Sequence, residues 1–366
     1  MSIEVLIVDD SATVREALRE MIDSQPDMHV MGTAHDPFKA VDVIKQRVPD
    51  VIVLDIEMPR MDGLSFLRRI MSQRPIPVII CSTLINGNNA TCVEALRAGA
   101  VDVMSKPKLS SPAAIEEGRI LITDKVRAAA SVRLSPVSKA PVRQTPLAER
   151  QERHTADVVL PAKRLAPSLG KRRKPLVAIG ASTGGTQALE TVFKELDDTV
   201  HGIVVVQHMP EHFTAAFARR LNGVSKLEVR EACNGDEVEA GVALIAPGGH
   251  HLIVRPRGDG YTCQVVDGPL VARHRPSVDV LFRSVAQTAG DAALGIIMTG
   301  MGDDGARGLA ELRSAGALTV GQSERSCVVY GMPAEAAKLG AVAKETDLRG
   351  IASIVQSFGR TAAVRH

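Results

Sequence analysis

A serine stands inside a glycine-rich loop near the middle of the chain, in the sequence Ile179-Gly180-Ala181-Ser182-Thr183-Gly184-Gly185, directly after an apolar run. A hydroxyl on a tight turn after a buried strand projects into open space, and neighbouring glycines let a substrate and backbone N–H groups come close. The loop fits the G-x-S-x-G pattern of a nucleophilic serine. A Walker motif fails because the loop has no lysine, and a dinucleotide motif fails because Ser182 replaces its second glycine.

Two later residues could complete a hydrolytic triad with Ser182. His208 ends the apolar run Ile203–Gln207, which places it at the same sheet edge if both runs are parallel strands. Asp304 follows another apolar run, and its carboxylate could accept Nδ1–H of His208 so that Nε2 faces Ser182. Spacing alone does not exclude the neighbouring Asp303. The chain order Ser, His, Asp differs from the Ser, Asp, His order of α/β-hydrolases, so the serine pattern does not imply that fold.

His208 also begins a second pattern, His208-Met209-Pro210-Glu211-His212, which fits the H-x-x-E-H motif of a zinc site. That motif needs a helix, whereas here a β-like run leads into His208 and Pro210 blocks a helix. The five cysteines are scattered and form no C-x-x-C pair. We therefore expect neither zinc nor a disulfide framework, no cofactor for the serine site, and a reduced, cytoplasmic location.

Carboxylates recur at predicted strand ends in the N-terminal part. Asp9, Asp10 and Asp55 follow two apolar runs, and the carboxyl edge of a parallel sheet is where ligands bind. Three carboxylates there repel one another unless a cation joins them, and hard oxygen ligands at an open site suit Mg²⁺. Ser82 and Lys106 end two later runs, and a lysine there can pair with a phosphoryl oxygen.

Apolar runs alternate with helical patterns on both sides of a central segment. We predict strands at Val5–Val8, Val51–Leu54, Val78–Cys81, Val101–Met104, Leu176–Ile179, Ile203–Gln207, Ala243–Ala246, Leu294–Met298 and Leu318–Gly321. We predict helices at Val14–Met21, Pro37–Gln46, Gly63–Met71, Cys92–Ala98, Pro112–Ala130, Thr186–Leu196, Glu211–Leu221, Val278–Ala289 and Gly305–Ser314. Such alternation implies parallel sheets with helices on both faces, so we predict two doubly wound α/β domains.

The central segment, residues 131–174, differs in composition from the rest. It holds five prolines and eleven Lys/Arg against three Asp/Glu, a net charge of +8, which leaves −6 for the remainder of a chain whose total is +2. Proline and like charge without apolar periodicity indicate a linker. We predict domains at residues 1–130 and 175–366, joined by this linker.

The overall composition sets further limits. With 366 residues, 45% of them hydrophobic and 23% charged, the chain can build two globular cores. No apolar run approaches the roughly 20 residues that span a bilayer, and the N-terminus lacks the pattern of a signal peptide. We find no helix-turn-helix after the linker. We therefore expect neither membrane insertion nor nucleic-acid binding.

The first domain resembles the receiver domain of two-component response regulators. The resemblance covers residues 1–130 and rests on Asp9-Asp10, Asp55-Ile56-Glu57-Met58-Pro59, Met61-Asp62-Gly63, Ser82 and Ser105-Lys106-Pro107, which occur in the family's order. It implies that Asp55 accepts a phosphoryl group from a histidine kinase. It also implies that Asp10, Asp55 and the backbone carbonyl of Glu57 hold Mg²⁺, with assistance from Asp9.

The same resemblance implies that Ser82 and Lys106 respond to the phosphate. Val103 stands where many receivers carry an aromatic switch residue. This departure puts the aromatic part of the usual switch in doubt, though not the phosphorylation.

The second domain resembles the catalytic domain of the CheB family of chemotaxis protein-glutamate methylesterases. The match runs from about Pro175 to Phe358 and rests on Ile179–Thr186, Gln207-His208-Met209-Pro210, Ala246-Pro247-Gly248-Gly249-His250, His274-Arg275-Pro276-Ser277-Val278-Asp279 and Thr299–Gly305. It implies Ser182 as nucleophile, His208 as base and Asp304, not Asp303, as the third member. The backbone N–H of Met301 would help to form the oxyanion hole.

The two resemblances together imply a phosphorylation-activated serine esterase. It would demethylate glutamate methyl esters, and deamidate glutamines, on the cytoplasmic domain of methyl-accepting chemoreceptors. The family also implies that the unphosphorylated receiver covers the cleft and that phosphorylation uncovers it. Two alternatives stay open: a receiver-regulated adaptor that only binds a partner, and a serine hydrolase that acts on a non-receptor ester.

Overall fold

Strand and helix alternate along both halves of the chain in the computed structural model, which describes residues 2–58, 63–83, 89–132, 154–163, 173–211 and 213–359. The chain divides into two units, Met1–Glu149 and Arg150–His366. Each contains a parallel sheet with helices, so the predicted α/β class of both domains is confirmed. Within the described ranges, no helix combines the length and the apolar content needed to cross a membrane. The motif residues 59–62, His212 and most of the predicted linker lie outside these ranges.

The first unit is a five-stranded parallel sheet with five helices. Its elements are β1 (Ile3–Val8), α1 (Ala12–Asp23), β2 (Met28–Ala34), α2 (Pro37–Gln46), β3 (Val51–Leu54), α3 (Gly63–Gln73), β4 (Val78–Ser82), α4 (Asn89–Arg97), β5 (Asp102–Ser105) and α5 (Pro112–Ala130). The strand order is β2-β1-β3-β4-β5, the flavodoxin-like order. The chain changes direction across the sheet between β1 and β3, and the carboxyl ends of these strands carry Asp9, Asp10 and Asp55.

Side-chain caps mark where helices of this unit begin. Ser11, Asp36 and Ser111 each accept a backbone N–H from the first turn of the helix that follows, at 3.4, 2.8 and 3.2 Å. Pro37 and Pro112 open two of these helices, where proline's missing N–H has no intrahelical partner to lose. Helices α2 and α5 begin at the predicted residues, because in each the sequence contains both a capping side chain and a proline directly after it.

The second unit has a seven-stranded parallel sheet. Its elements are β6 (Leu176–Ala181), α6 (Gly185–Lys194), β7 (Ile203–Gln207), α7 (Phe213–Asn222), β8 (Glu228–Glu231), β9 (Val242–Ile245), β10 (His251–Arg257), β11 (Gly260–Val266), α8 (Val278–Thr288), β12 (Ala293–Ile297), α9 (Ala306–Ser314), β13 (Leu318–Gln322), α10 (Met332–Lys338), β14 (Lys344–Thr346) and α11 (Leu348–Ser357). The strand order is β14-β13-β12-β6-β7-β9-β8, and β10 and β11 form a separate antiparallel pair. The central strands β6, β7 and β12 are buried along their whole length, as expected where helices cover both faces.

A short part of the predicted linker has a defined place on the second unit. Residues 154–163 contain one turn of 3₁₀ helix, Ala156–Val158, that packs against α8. Buried Arg283 of α8 binds Asp157 Oδ1 at 2.9 Å and the carbonyl of Leu160 at 3.1 Å. Leu160 is itself buried, so apolar contact accompanies the ion pair. These contacts attach residues 154–163, which lie within the predicted linker, to the second unit.

Helices α8 and α9 cross at very close range beside Gly308. A Cβ added at Gly308 would lie 2.8 Å from the backbone oxygen of Asp279 and 2.9 Å from Cβ of Phe282. The Gly308 N–H also donates to Asp279 Oδ1 at 2.7 Å. The crossing therefore leaves no room for a side chain at this position.

We predict that Gly308→Ala destabilises the second unit although alanine is the better helix former. The gain in helix propensity is about 1 kcal/mol, whereas overpacking against backbone atoms costs about 1–3 kcal/mol. Thermal unfolding should show a lower Tm. Gly223→Ala is the matched control, because its nearest atoms would be 3.6 Å away, and its Tm should stay near that of the wild type. An unchanged Tm for Gly308→Ala would contradict the close crossing.

Candidate active site

The strand order of the second unit brings the predicted triad residues to one edge of the sheet. Ser182 follows β6, His208 follows β7 on one side of it, and Asp304 lies in the loop after β12 on the other side. The backbone ladder continues past the strand ends: Ser182 N–H donates to Thr299 O at 2.9 Å and His208 N–H to Ala181 O at 3.0 Å. The chain changes direction across the sheet between β6 and β12, which is where open α/β sheets bind ligands.

Asp304 is buried and accepts hydrogen bonds from the start of α8. Its Oδ1 accepts from the Ser277 hydroxyl at 2.8 Å and from Asp279 N–H at 3.0 Å. Its Oδ2 accepts from Val278 N–H at 2.8 Å and pairs with Nε2 of His208 at 2.8 Å. A carboxylate at a helix N-terminus is stabilised by the free N–H groups there. The side chain therefore has fixed oxygens with which to orient an imidazole.

The predicted pairing of Asp304 with Nδ1 of His208 is wrong, since Nε2 makes this contact. The reason is distance: β6 separates β7 from β12, so the imidazole must reach across two strand spacings, about 10 Å. The outer ring nitrogen extends farther from the backbone than Nδ1. Because the carboxylate accepts, Nε2 carries the hydrogen and Nδ1 keeps a lone pair. Nδ1 is buried and binds no group among the described residues, so it is the nitrogen left to take a proton.

Ser182 is held by its backbone and not by its hydroxyl. Its carbonyl accepts from Nε2 of Gln207 at 2.8 Å. Within the described ranges, Oγ of Ser182 makes no hydrogen bond, so the contact with His208 that a triad needs is not formed here. Such bonds are often long or absent without substrate and tighten when substrate binds. The loop thus presents a fixed backbone and a hydroxyl that is free to turn.

The loop after β12 lies against the Ser182 loop at Gly300. A Cβ on Gly300 would be 2.6 Å from Cβ of Ser182 and 2.4 Å from Sδ of Met332, so only glycine fits. Gly331 and Met332 N–H groups both donate to Gly300 O, which fixes this turn. The next residue is Met301, whose N–H has no acceptor among the described residues. A fixed, unused N–H beside a serine is what an oxyanion hole requires.

His274 is a site residue to which we assigned no role from the sequence. Its ring stacks on that of His208, with centroids 3.7 Å apart and planes at 10°. Ala272 and Arg273 precede it with φ of 47° and 72°, a left-handed pair that non-glycine residues rarely adopt. Such strain persists only where the surroundings enforce it, and it is common at functional sites. The stack fixes the plane of the His208 ring.

Two loops within the motifs that carry the family resemblance, Pro247–His250 and Arg275–Ser277, lie against each other. The Gly249 N–H donates to Arg275 O at 3.3 Å. Ser277 caps α8 while its hydroxyl donates to Asp304, so this second loop belongs to the site itself.

The first unit holds a second, separate site at the carboxyl ends of β1 and β3. Nζ of Lys106 lies 2.7 Å from Asp55 Oδ2 and 2.8 Å from Asp9 Oδ2. Burial raises the pKa of Asp9 above its usual value, and the Lys106 ammonium opposes this. Burial alone would lower the pKa of Lys106, but its hydrogen bonds to the two carboxylates raise it well above its usual value. The lysine stays charged and neutralises part of the acidic cluster.

One ligand oxygen from each of Asp9, Asp10 and Asp55 lies within 4.8 Å of the others, a donor set that suits Mg²⁺. Asp10 is exposed while Asp9 and Asp55 are buried, so the cluster opens to solvent on one side. The receiver resemblance implies that the backbone carbonyl of Glu57 joins this set. The Glu57 N–H donates to Asp55 Oδ1 at 2.9 Å. Ser82 is buried at the end of β4, and its carbonyl accepts from Lys106 N–H at 3.0 Å.

Comparisons with known proteins agree with both resemblances. The family model for the CheB methylesterase domain matches residues 177–355, and that for the response regulator receiver domain matches residues 5–114. A protein named protein-glutamate methylesterase/protein-glutamine glutaminase 3 from Shewanella oneidensis is 53% identical over 97% of this chain and 99% of its own. A protein from Chromobacterium violaceum with the same name, numbered 1, is 54% identical over 97% of this chain and 99% of its own. The crystal structure of the Thermotoga maritima CheB methylesterase catalytic domain is 32% identical, with a TM-score of 0.49, and covers 50% of this chain and 98% of that chain.

The site geometry predicts that Asp304 and its neighbour Asp303 are not equivalent. Asp304→Asn should slow the labelling of Ser182 by a fluorophosphonate probe at least about tenfold, because a neutral amide stabilises a protonated His208 much less. Asp303→Asn, the matched control, should label at nearly the wild-type rate, since Asp303 is partly exposed. Mass spectrometry of the labelled peptide measures both rates. The opposite ranking would make Asp303 the partner of the histidine.

Proposed function

Because the chain belongs to the CheB methylesterase family, we propose that it is a protein-glutamate methylesterase and protein-glutamine glutaminase controlled by its receiver domain. Its substrates are glutamate methyl esters and glutamines on the cytoplasmic domain of methyl-accepting chemoreceptors, and it works in the cytoplasm. The observation that carries the proposal is the buried His208–Asp304 pair, at 2.8 Å, on the sheet edge that also bears Ser182.

In the acylation step, Oγ of Ser182 attacks the γ-carbonyl carbon of the methyl ester. His208 takes the hydroxyl proton at Nδ1, the nitrogen that Asp304 leaves free. The imidazolium that forms then lies beside the Asp304 carboxylate, whose charge stabilises it without itself taking the proton. Four donors hold that carboxylate, so it needs little rearrangement during the reaction.

The tetrahedral intermediate carries a negative oxygen that the Met301 N–H binds. Each such donor is worth about 3 kcal/mol in the transition state. When the intermediate collapses, the C–O bond to the methoxy group breaks and methanol leaves with the proton from His208. Water then attacks the acyl-serine with the help of His208 and releases glutamate. With a glutamine substrate the leaving molecule is ammonia, and the remaining steps are the same.

Control by phosphorylation depends on the acidic site of the first unit. Asp55 accepts the phosphoryl group from a histidine kinase. Asp9, Asp10, Asp55 and the carbonyl of Glu57 would hold Mg²⁺, which when bound would supply positive charge to the phosphoryl oxygens. Lys106 already contacts the Asp55 carboxylate at 2.7 Å and would pair with a phosphoryl oxygen after transfer. Ser82 ends the neighbouring strand and responds to the same group.

The first test of this proposal is methanol release from a methylated receptor cytoplasmic domain. Ser182→Ala should lower kcat by at least about a thousandfold, because the acyl-enzyme cannot form. Ser353→Ala, an exposed serine on α11, is the control and should retain activity. Release by Ser182→Ala at the wild-type rate would exclude the serine mechanism. A wild type that releases none from any receptor but hydrolyses other esters would favour the non-receptor hydrolase, and one that hydrolyses none would favour the adaptor.

The second test concerns the switch. A small phosphodonor with Mg²⁺ should raise the methanol-release rate of the wild type and leave that of Asp55→Asn unchanged, because the amide cannot accept the phosphoryl group. Asp42→Asn, an exposed carboxylate on α2, should respond like the wild type. An equal rise in Asp55→Asn would rule out this aspartate as the point of control.

A further inference from the structure

A second buried histidine lies close to the Asp304 site and takes no part in the proposed chemistry. His251 begins β10 directly after the Pro247–His250 loop and has no exposed surface. Nε2 of His251 lies 2.9 Å from Pro269 O, and Nδ1 lies 3.2 Å from the backbone nitrogen of Ser277. Both ring nitrogens of this side chain are thus used inside the protein.

Its two partners fix the tautomer of the His251 ring. A carbonyl oxygen only accepts, so Nε2 carries the hydrogen, and the Ser277 N–H only donates, so Nδ1 carries a lone pair. Burial lowers the pKa of His251, which favours this neutral form. His251 therefore acts as a fixed acceptor for the backbone of Ser277.

Ser277 connects this acceptor to the site. It is fully buried and caps α8 with an extended backbone, φ −109° and ψ 136°. Its hydroxyl donates to Asp304 Oδ1 at 2.8 Å, and the next two N–H groups donate to the same carboxylate. The direction of the Ser277 peptide thus sets three of the four hydrogen bonds that Asp304 accepts.

We propose that His251 is a positioning residue that, through Ser277, holds Asp304 in the orientation in which it binds His208. His251 touches no reacting atom. It accepts the Ser277 N–H, and so fixes the peptide that carries the hydroxyl. The expected effect of His251 on catalysis rests on the proposed methylesterase function. Its effect on the orientation of Asp304 does not.

A matched pair of substitutions separates positioning from simple packing. His251→Asn can place its amide oxygen near the position of Nδ1, where it accepts from Ser277 N–H. His251→Gln is longer and can donate to Pro269 O, but it leaves a methylene group opposite Ser277. Both variants remove the same ring from a buried position, so both should lower Tm.

The test measures kcat and KM for methanol release, together with Tm, for both variants. We expect His251→Asn to keep kcat within about threefold of the wild type and His251→Gln to lose about tenfold or more, with KM unchanged in both. In a Ser277→Ala background, His251→Gln should lower kcat by a smaller factor, because one of the three hydrogen bonds that the Ser277 peptide directs is already gone. Equal kcat losses in the two variants, or independent factors in the double variant, would overturn the proposal.

¹⁵N NMR of the histidine rings provides a measurement that needs no known substrate, and its first part uses only the wild type. In the wild type, His251 should be neutral with its hydrogen on Nε2, and a hydrogen on Nδ1 would overturn the proposal. In His251→Gln, the signal of the His208 Nε2–H that binds Asp304 should shift or broaden, while in His251→Asn it should stay. A wild type that releases no methanol would remove the proposed function, and the NMR result would still decide the role of His251.

Discussion

The site of the second unit depends on the hydrogen bonds between the Asp304 carboxylate and the start of α8. A buried charge is costly unless hydrogen bonds compensate it, and here four donors converge on two oxygens. Three of them belong to the first turn of α8 and its cap, where helix N–H groups lack intrahelical partners. One residue therefore completes a helix end and orients an imidazole. Neither role can change without affecting the other.

The arrangement is reciprocal, because α8 also contributes a carboxylate that accepts N–H groups at the start of α9. Asp279, in the first turn of α8, accepts N–H groups of Gly305 and Gly308 at 3.0 and 2.7 Å. Burial, together with the nearby charge of Asp304, raises the pKa of Asp279. The two N–H groups at the start of α9 that Asp279 accepts oppose this rise in its pKa. These two sets of hydrogen bonds hold the loop that contains Met301 and Asp304 between the starts of α8 and α9. The position of the loop is therefore restricted.

Much of this architecture could be predicted from the sequence, since the buried parallel strands are continuous apolar runs such as Ile203–Gln207. Two of the features that we missed differ from that pattern in sequence or in location. Strand β8, Glu228–Glu231, lies at a sheet edge and carries charges, and the β10–β11 pair lies outside the main sheet. Strand ends in one sheet share an edge, so the sequence predicts that Ser182, His208 and an aspartate after β12 lie together, and the family resemblance selects Asp304 over Asp303. The ring nitrogen that meets Asp304 and the stack on His274 could not be found, because both depend on three-dimensional distances between separate loops.

The central place of β6 in its sheet affects how the chain folds during synthesis. β6, Leu176–Ala181, is the first strand of its sheet to leave the ribosome, and β7 can pair with it soon afterwards. Its other neighbour, β12, begins only at Ala293. During the intervening synthesis one side of β6 exposes unpaired backbone groups, which is the kind of edge that promotes aggregation. Strand β6, which leads into Ser182, is thus the first strand of its sheet and stays unpaired on one side until β12 is made, so a chain that stops before β12 has neither a complete sheet nor Asp304.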